Sequence, residues 1–262
     1  MAAKSTNPQD YQHVPRPVAA MAKPFPAGYH IAPHDHPRAQ LLYAVSGVMR
    51  VMTPEGAFVV PPLRAVWVPA GMPHEVRMAS AVAMRTLYVA SDADPALPTE
   101  CRVVDVSPLL RELILEAVAE PLEYDTEGRA GRIMQLILDE LRRLPAVPLG
   151  LPMPRDARLQ RLCEDLLEQP GSRLSLEDWA AKSGASPRTL ARLFQQETGL
   201  SFRRWRERAR LADAVARLAG GEPVARVAAR LGYDSASAFT AMFRRSLGVP
   251  PQRYLAATAS LS

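Results

Sequence analysis

The sequence predicts an α+β protein of two domains, in which an N-terminal β-barrel with following helices precedes an all-α C-terminal domain. Residues 27–100 form short apolar or alternating runs that Gly and Pro interrupt about every 8–12 residues, as in antiparallel barrels and sandwiches. From residue 156 onward, the apolar residues follow a helical period. Residues 1–150 contain 14 Lys and Arg against 16 Asp and Glu, whereas residues 151–262 contain 18 against 11. This charge difference predicts a polyanionic partner for the C-terminal part.

The chain begins with a polar, Pro-rich segment, residues 1–26, which we predict to be a loosely held arm. It lacks the apolar region of a secretory signal peptide. No apolar run approaches the roughly 18 residues that are needed to span a bilayer. The two cysteines, Cys101 and Cys163, lie in different segments without the spacing of a disulfide framework or a zinc knuckle. We therefore expect a cytoplasmic protein with no membrane partner.

Two helices are predicted in the segment 101–144, after the barrel. The first begins with Ser107 as N-cap and Pro108 at its first position. The second carries an amphipathic stripe that consists of Ile133, Leu136, Ile137, Leu141 and Leu144. Each helix could either cap the open face of the barrel or contribute to a dimer interface. We favour a cap for the first helix and dimerisation for the second, which predicts a homodimer through residues 107–144.

A Pro-rich segment, residues 145–155, predicts the domain boundary, because its prolines stop a helix and favour an extended linker. The C-terminal domain, residues 156–262, is predicted to contain seven short helices that glycines separate. These helices span residues 156–168, 175–183, 187–197, 201–218, 223–230, 235–246 and 251–257.

Two stretches of this domain share one pattern, which is a short helix, a turn that contains glycine, and a second helix. The first is SLEDWAAKSGASPRTLARLFQQETG, residues 175–199, and the second is EPVARVAARLGYDSASAFTAMFRRSLG, residues 222–248. Gly184 and Gly232 mark the two turns. Each stretch therefore predicts a helix-turn-helix unit whose second helix enters the major groove of DNA.

The stretches RTLARLFQQETGLSF and VARVAARLGYDSASAFTAMFRRSLGVPPQRY resemble the AraC/XylS family of bacterial transcriptional regulators, and the likeness covers residues 156–256. The resemblance implies a seven-helix module that binds double-stranded DNA. Its two helix-turn-helix units would lie in successive major grooves on one face of the duplex, about 34 Å apart. We expect such a protein to be associated with the bacterial nucleoid while it is bound to DNA.

The outward side chains of the first recognition helix are candidates for base contacts. Arg188, Arg192 and Gln195 point away from the face that contains Leu190 and Phe194. Arginine can donate two hydrogen bonds to O6 and N7 of guanine, so we predict that Arg188 and Arg192 read bases. Gln195 is expected to contact a base or a phosphate.

The second recognition helix presents small side chains outward, namely Ala236, Ser237, Thr240 and Ala241. These can contact a thymine methyl group or a phosphate, but they cannot form a two-pronged contact with guanine. We therefore expect the first helix to dominate direct readout and the second mainly to position the module. The predicted DNA-binding set is Arg188, Thr189, Arg192, Gln195, Ser235, Ser237, Thr240, Arg244 and Arg245, and further phosphate contacts are expected from Arg203, Arg204 and Arg206.

The N-terminal part contains the pattern G-x5-H-x-H-x3-Q-x6-G over residues 28–47, and P-x-G-x2-H over residues 69–74. These patterns resemble the two motifs of the cupin superfamily, whose fold is a small β-barrel, and the likeness covers about residues 27–90. Two positions depart from the cupin pattern. Gln40 stands where cupin metal sites usually have glutamate, and Leu63 replaces the glycine that usually opens the second motif.

A metal site is the chemistry that this pattern suggests. His34, His36 and Gln40 have the same parity along a strand, and His74 would arrive from a distant strand. Three imidazoles and an amide oxygen could hold one divalent transition metal, Zn²⁺, Ni²⁺, Fe²⁺ or Mn²⁺. The neutral amide of Gln40 lowers metal affinity relative to glutamate and suits an anionic or chelating ligand. The alternative is a metal-free effector pocket in which the histidines are the polar lining.

Tyr43 and Arg64 are the predicted effector-pocket residues, and Trp67 and Arg77 are further candidates. Arg64 lies in a turn that prolines bound, where it could pair with a carboxylate of the effector. A surface arginine is the simpler interpretation of Arg64, and a core residue is the simpler interpretation of Trp67.

The sequence thus favours a sequence-specific DNA-binding transcriptional regulator, without catalytic residues, whose cupin domain senses a small molecule or a metal. One alternative is a cupin metalloenzyme, similar to a dioxygenase or an isomerase, fused to a DNA-binding domain. The three histidines support that alternative, whereas the missing carboxylate ligand and the lack of a second nearby acid or base oppose it. In another alternative, the barrel serves only for dimerisation.

Overall fold

A computed structural model describes residues 5–147 and 149–259, which divide into two compact units. The first unit contains residues 5–53 and 60–147, and the second contains residues 54–59 and 149–259. The first consists of β-strands followed by two helices, and the second is mainly helical. The predicted order of a β-rich N-terminal part and a helical C-terminal part is therefore confirmed.

The strands of the described residues are short and pair antiparallel. They are β1 (Val18–Phe25), β2 (His30–His34), β3 (Ala39–Ser46), β4 (Met49–Thr53), β5 (Gly56–Val60), β6 (Arg64–Val68), β7 (His74–Met78), β8 (Val82–Val89), β9 (Arg102–Asp105) and β10 (Gly150–Pro152). In the first unit, one sheet has the order β1-β8-β3-β6-β9, and a second sheet contains β4, β7 and β2 in that order. The sequence predicts a β-barrel, whereas these strands form two sheets that are not closed into a barrel. Consecutive strands such as β3 and β4 belong to different sheets.

The prediction of a loosely held arm over residues 1–26 was wrong for most of that segment, and residues 1–4 lie outside the described residues. Strand β1 pairs with β8 along its whole length, from Val18 opposite Val89 to Phe25 opposite Val82. The buried Arg38 guanidinium donates hydrogen bonds to the carbonyl oxygens of three residues that precede β1, Gln12, Val14 and Arg16. The prolines of this segment stop helices, but they do not prevent a sheet strand.

The core of the first unit lies between the β1-β8-β3-β6-β9 sheet and the two helices α1 (Pro108–Ala119) and α2 (Arg129–Arg142). Ser107 caps α1 by accepting a hydrogen bond from the Leu110 N–H, as its position predicts. The sheet contributes side chains such as Leu41 and Leu87, and Ile114 of α1 packs in the same cluster.

The apolar stripe of α2 does not form the predicted dimer interface. Ile133, Ile137, Leu141 and Leu144 are buried in the core of their own chain, against the sheet. Only Leu136 of the stripe is exposed, by 46%. An amphipathic helix buries its apolar face against whichever surface is available, and here that surface is the sheet of the same unit.

The second unit is helical after a short strand. Within the predicted linker 145–155, β10 pairs antiparallel with β5, so part of the linker is a strand and not a free spacer. The helices are α3 (Ala157–Glu168), α4 (Leu176–Ser183), α5 (Pro187–Thr198), α6 (Phe202–Ala219), α7 (Val224–Arg230), α8 (Ala236–Leu247) and α9 (Pro251–Ala259), and they confirm the predicted ranges within two residues.

Helix ends in this unit follow the local sequence. Ser186 and Ser235 accept N-capping hydrogen bonds at α5 and α8, and Gly184, Gly199 and Gly248 end α4, α5 and α8 with positive φ. Across the described ranges of the chain, no helix has both the length and the apolar character that crossing a bilayer requires.

Candidate functional site

Three histidines of the first unit converge at one end of the second sheet. His34 ends β2 and pairs directly with His74, the first residue of β7, and His36 follows two residues after β2. Between Ile31 and His34 the register shifts, at a point where Pro33 has no N–H to donate to the ladder. The ring centroids of His34 lie 4.8 Å from His36 and 4.4 Å from His74. One ring nitrogen from each histidine lies within 4.8 Å of the others.

Backbone carbonyls orient two of these imidazoles. Nδ1 of His34 lies 2.7 Å from the Ala32 carbonyl oxygen, and Nδ1 of His74 lies 2.9 Å from that of Met72. Because a carbonyl only accepts, Nδ1 donates in both rings, and Nε2 of each neutral ring carries a lone pair. Such second contacts fix the orientation of metal-ligating histidines in many proteins.

Burial keeps two of the imidazoles uncharged. It lowers the pKa of His74 to about 4, and burial together with the neighbouring imidazoles lowers the pKa of His36 to about 4. Both ring nitrogens of His36 are buried and have no hydrogen-bond partner among the described residues. A neutral imidazole is the form that binds a metal ion.

Gln40 completes the cluster. Its Oε1 lies 2.9 Å from Nε2 of His74, and its side chain also forms a hydrogen bond with Tyr88. An amide oxygen and an unprotonated Nε2 are both acceptors, so both can bind the same cation. Without a cation between them, the amide must rotate so that its NH2 group donates a hydrogen bond to Nε2. The donor set of His34, His36, His74 and Gln40 fits one divalent transition metal, with neutral nitrogen and oxygen ligands.

A small cavity of about 100 Å³ opens beside the histidines. Its apolar wall consists of Pro8, Met21, Phe25, Tyr29, Ile31, Leu42, Val76 and Met84, and Tyr88 and Lys23 also line it. The Lys23 ammonium lies 5.3 Å from the centre of the Phe25 ring and donates to the carbonyl oxygen of Thr6. The pocket thus combines three imidazoles and an amide, an apolar wall and the ammonium group of Lys23.

The β1 residues of this pocket were missed in the sequence because the segment was interpreted as an arm. A signal was present, since Met21, Lys23 and Phe25 alternate with Ala22 and Pro24, and alternate residues of a strand face one side.

The predicted effector residues Tyr43 and Arg64 do not line this pocket. Tyr43 has the opposite parity to Gln40 and Leu42 on β3, so its ring is buried on the other face of the sheet, against the helices. Arg64 forms an ion pair with Asp105.

The two further candidates also lie elsewhere. Trp67 is a core residue whose Nε1–H donates to the carbonyl oxygen of Pro98. Arg77 is exposed and forms an ion pair with Glu75.

The glycine positions of the cupin-like patterns have a backbone explanation. Gly47 has φ of 83°, and a Cβ atom there would lie 2.0 Å from the Ala81 carbonyl oxygen. Leu63, at the position where the second pattern usually has glycine, has φ of 67°. This left-handed backbone favours glycine, so Leu63 adopts the type of conformation for which the pattern usually has glycine.

The second unit contains both predicted helix-turn-helix arrangements. In the first, α4 and α5 flank Gly184, Leu190 and Phe194 are buried, and Arg188 and Arg192 are exposed. Gln195 is exposed too, whereas Thr189 is half-buried with its hydroxyl 2.8 Å from that of Ser186. Gln196, which the sequence analysis did not select, accepts a hydrogen bond from Nη1 of Arg192 at 2.7 Å.

In the second arrangement, α7 and α8 flank Gly232, and Phe239 and Phe243 are buried. The exposed residues of α8 include Ser237, Ala241, Arg244 and Arg245, and Thr240 is half-buried. The Ser235 hydroxyl accepts a hydrogen bond from the Ala238 N–H and thereby caps the N-terminus of α8.

Comparison with known proteins agrees with this geometry. A family model of the AraC-like ligand binding domain matches residues 25–196, and a model of a helix-turn-helix domain matches residues 179–257. The HTH-type transcriptional regulator NimR of Escherichia coli K12 is 35% identical over 229 residues, which are 87% of this chain and 84% of NimR. This chain belongs to the AraC family of transcriptional regulators. The resemblance that its C-terminal residues suggest is thereby confirmed.

Other AraC-family relatives match about half of this chain. The HTH-type transcriptional regulator RipA of Corynebacterium glutamicum is 38% identical over 131 residues, which are 50% of this chain and 38% of RipA. The arabinose operon regulatory protein of Escherichia coli K12 is 30% identical over 135 residues, which are 50% of this chain and 46% of that protein. Both alignments cover less than half of the relative's length.

In this AraC-family regulator, the matched ligand binding region includes the histidine cluster and most of the residues that line its cavity, whereas Pro8, Met21 and Lys23 precede that region. The matched helix-turn-helix region includes α5 and α8. The family assignment therefore joins a DNA-binding unit and a ligand-sensing unit in one chain.

Proposed function

We propose that this AraC-family regulator binds double-stranded DNA through α5 and α8 and senses a small-molecule effector in the histidine-lined cavity, beside one divalent transition metal. The observation that carries the sensing proposal is the convergence of three imidazoles and the Gln40 amide on an apolar cavity. Effector binding would shift DNA binding only if the effector has different affinity for two arrangements of the protein.

For direct readout, we assign the main role to α5. The exposed guanidinium groups of Arg188 and Arg192 can each bridge O6 and N7 of guanine, and Gln196 orients Arg192. The hydroxyls of Thr189 and Ser235 are engaged at helix starts, so we expect them to support the helices more than to read bases.

His34, His36, Gln40 and His74 would hold the metal, and the backbone carbonyls behind His34 and His74 would keep their rings oriented. When bound, the metal supplies a Lewis acid that an anionic or chelating group of the effector can approach. Because all four donors are neutral, they leave the charge of the cation uncompensated, which favours an anionic effector. Lys23 adds a second positive charge to the same cavity.

Metal content tests this part of the proposal. We expect the purified wild-type protein, after incubation with Zn²⁺, Ni²⁺, Fe²⁺ or Mn²⁺ and gel filtration, to retain about one metal ion per chain. The His36→Ala variant should lose this metal ion, because the substitution removes a buried imidazole that would coordinate it. His13→Ala is the matched control, since His13 is exposed and outside the cluster. Elemental analysis that finds no retained metal in the wild type would exclude the metal and leave a metal-free effector pocket.

Sensing is favoured over catalysis by the residues around the cavity. Its described lining contains no carboxylate that could act as a general acid or base, and the relatives named above are regulators. A cupin-type dioxygenase or isomerase would use the same histidines. Turnover of a substrate by the metal-loaded protein in the absence of DNA would support that enzyme and contradict our proposal.

We further propose a homodimer, which would have to use the outer surface of α1 and α2, because the inner face of α2 is buried in its own chain. Leu109 and Leu136 are exposed there, by 52% and 46%. Sedimentation should give a dimer for the wild type and a smaller species for Leu109→Glu/Leu136→Glu. A wild-type monomer would contradict the dimer.

For location, we propose the bacterial cytoplasm, with nucleoid association on DNA binding. Imaging of a fluorescent fusion tests this proposal.

A further inference from the structure

A basic cleft lies between α6 and α8 of the second unit, apart from the histidine cavity. It has a volume of about 530 Å³ and is lined by Arg203, Arg206, Glu207, Arg210, Tyr233, Ala238, Met242 and Arg245. Its α6 residues occur at spacings of three and four, which places them along one face of the helix. Phosphate contacts from Arg203 and Arg206 and a DNA contact from Arg245 were expected from the sequence, whereas the meeting of these residues in one cleft was not.

The cleft has more positive charge than its own residues balance. Four guanidinium groups face one carboxylate, Glu207, which accepts a hydrogen bond from Arg203 at 3.4 Å. Arg206 donates to the carbonyl oxygen of Leu174, and Arg210 donates to those of Pro170 and Ser172. These carbonyl partners fix the two arginines without neutralising them.

Electrostatic repulsion within the cleft is consistent with this imbalance. Burial lowers the pKa of Arg206, the neighbouring Arg210 and Arg203 lower it further, and Glu207 partly opposes them. An anion in the cleft would relieve this repulsion. Guanidinium groups are well suited to phosphate, because their paired N–H donors match two phosphate oxygens.

The position of the cleft indicates where such a phosphate would come from. Arg245 follows Ala241 by four residues, so the two side chains differ by only about 40° around α8. The cleft therefore borders the exposed face of α8, whose outward residues are too small for two-pronged base contacts. A recognition helix of this kind needs contacts with the DNA backbone to hold it in the groove.

We infer that the α6/α8 cleft binds a backbone phosphate of the DNA duplex and thereby anchors the second helix-turn-helix unit. This inference rests on the proposed DNA binding, and it names the contact by which α8 is held. The arginines act on any sequence, because a phosphate carries no base identity. Arg203 and Arg245 contribute exposed charge, and Arg206 and Arg210 contribute charge whose position is fixed.

The test uses the full-length protein and two labelled duplexes, one of random sequence and one that the wild type selects from a random pool. Fluorescence anisotropy gives the dissociation constant at salt concentrations from roughly 50 to 200 mM. For Arg203→Gln/Arg245→Gln, we expect affinity to fall by a similar factor for both duplexes. The slope of log K against log salt should decrease by about one for each lost contact. Arg161→Gln is the matched control, since Arg161 is exposed on α3, outside the cleft.

Each outcome decides between sources of the anion. A wild-type slope in the double variant overturns the inference while leaving DNA binding intact, whereas failure of the wild type to bind either duplex overturns the proposed function itself. Inorganic phosphate is added at constant ionic strength as a further arm. If inorganic phosphate binds the wild type but not the double variant, while the double variant keeps the wild-type salt slope for DNA binding, the cleft holds a free phosphate and not a phosphate of the duplex. Binding of an acidic peptide with the same pattern would indicate a protein partner, and either result overturns the inference.

Discussion

The two recognition helices share a scaffold and differ in their surfaces. Both α5 and α8 are 12 residues long, begin after a serine N-cap and end at a glycine with positive φ. When they are aligned at these caps, Leu190 corresponds to Phe239 and Phe194 to Phe243, and all four side chains are buried. The buried positions therefore hold both helices in equivalent ways within their units.

The exposed positions differ in size and charge. Arg188 aligns with Ser237, and Arg192 aligns with Ala241. A guanidinium group can bridge two acceptors on guanine, whereas a hydroxyl or methyl group cannot. We therefore expect the fold of a helix-turn-helix unit and its readout to depend on different residues of the same helix.

Removing the buried ring should damage both helices equally. We expect Phe194→Ala and Phe243→Ala each to lower the free energy of unfolding of the second unit by about 3–5 kcal/mol, through lost burial and the cavity left behind. Urea unfolding followed by circular dichroism measures this change. Gln195→Ala is the exposed control and should change stability by less than about 0.5 kcal/mol. A loss below about 1 kcal/mol at only one of the two rings would show that the scaffolds are not equivalent.

Removing the exposed side chains should affect the helices unequally. The two duplexes are a selected duplex and the same duplex with one guanine replaced. Arg192→Ala should lower the difference in binding free energy between them by about 1–3 kcal/mol. Ser237→Ala in α8 should leave discrimination nearly unchanged. Anisotropy titrations with both duplexes measure the two values. Unchanged base preference in Arg192→Ala would refute the assignment of direct readout to α5.

The same separation explains which features could be predicted from the sequence. Helix ends in the second unit follow from neighbouring residues, such as Ser186 before Pro187 and Gly199 after the last turn, so α3 to α9 were predicted well. The motif spacings likewise identified His34, His36, Gln40 and His74 as a cluster, although the parity argument does not account for it, because His34 lies on β2, Gln40 on β3 and His74 on β7.

Features that depend on contacts between distant segments were missed. Strand β1 is held by β8, and the residues before it are held by Arg38, and neither contact is visible in a Pro-rich run. The stripe of α2 has the same pattern whether it faces a sheet or another chain, so its burial could not be read from its spacing. The α6/α8 cleft also joins segments whose meeting depends on the tertiary fold.

Introducing an arginine into α8 should make its surface more like that of α5. In Ala241→Arg, the guanidinium stands at the position that aligns with Arg192, on an unchanged scaffold. We expect a new preference for guanine at one position of the selected duplex, worth about 1 kcal/mol, with stability unchanged. Selection from a random pool reveals the preference. Ala225→Arg is the control, because Ala225 is exposed on α7. The same preference in both variants would indicate a general gain of charge.

The smallest expected effect concerns the residue that supports Arg192. Gln196 accepts a hydrogen bond from Arg192 within one turn of α5, and it aligns with Arg245 of the cleft in α8. Under our proposals, this scaffold position therefore serves readout in one helix and phosphate binding in the other. An exposed pair at this spacing contributes about 0.2–0.5 kcal/mol, so Gln196→Ala should weaken binding to the selected duplex roughly twofold. In the Arg192→Ala background the same change should have no effect, because its partner is absent. A double-mutant cycle from anisotropy titrations measures this coupling, and additive effects would mean that Gln196 contacts DNA independently.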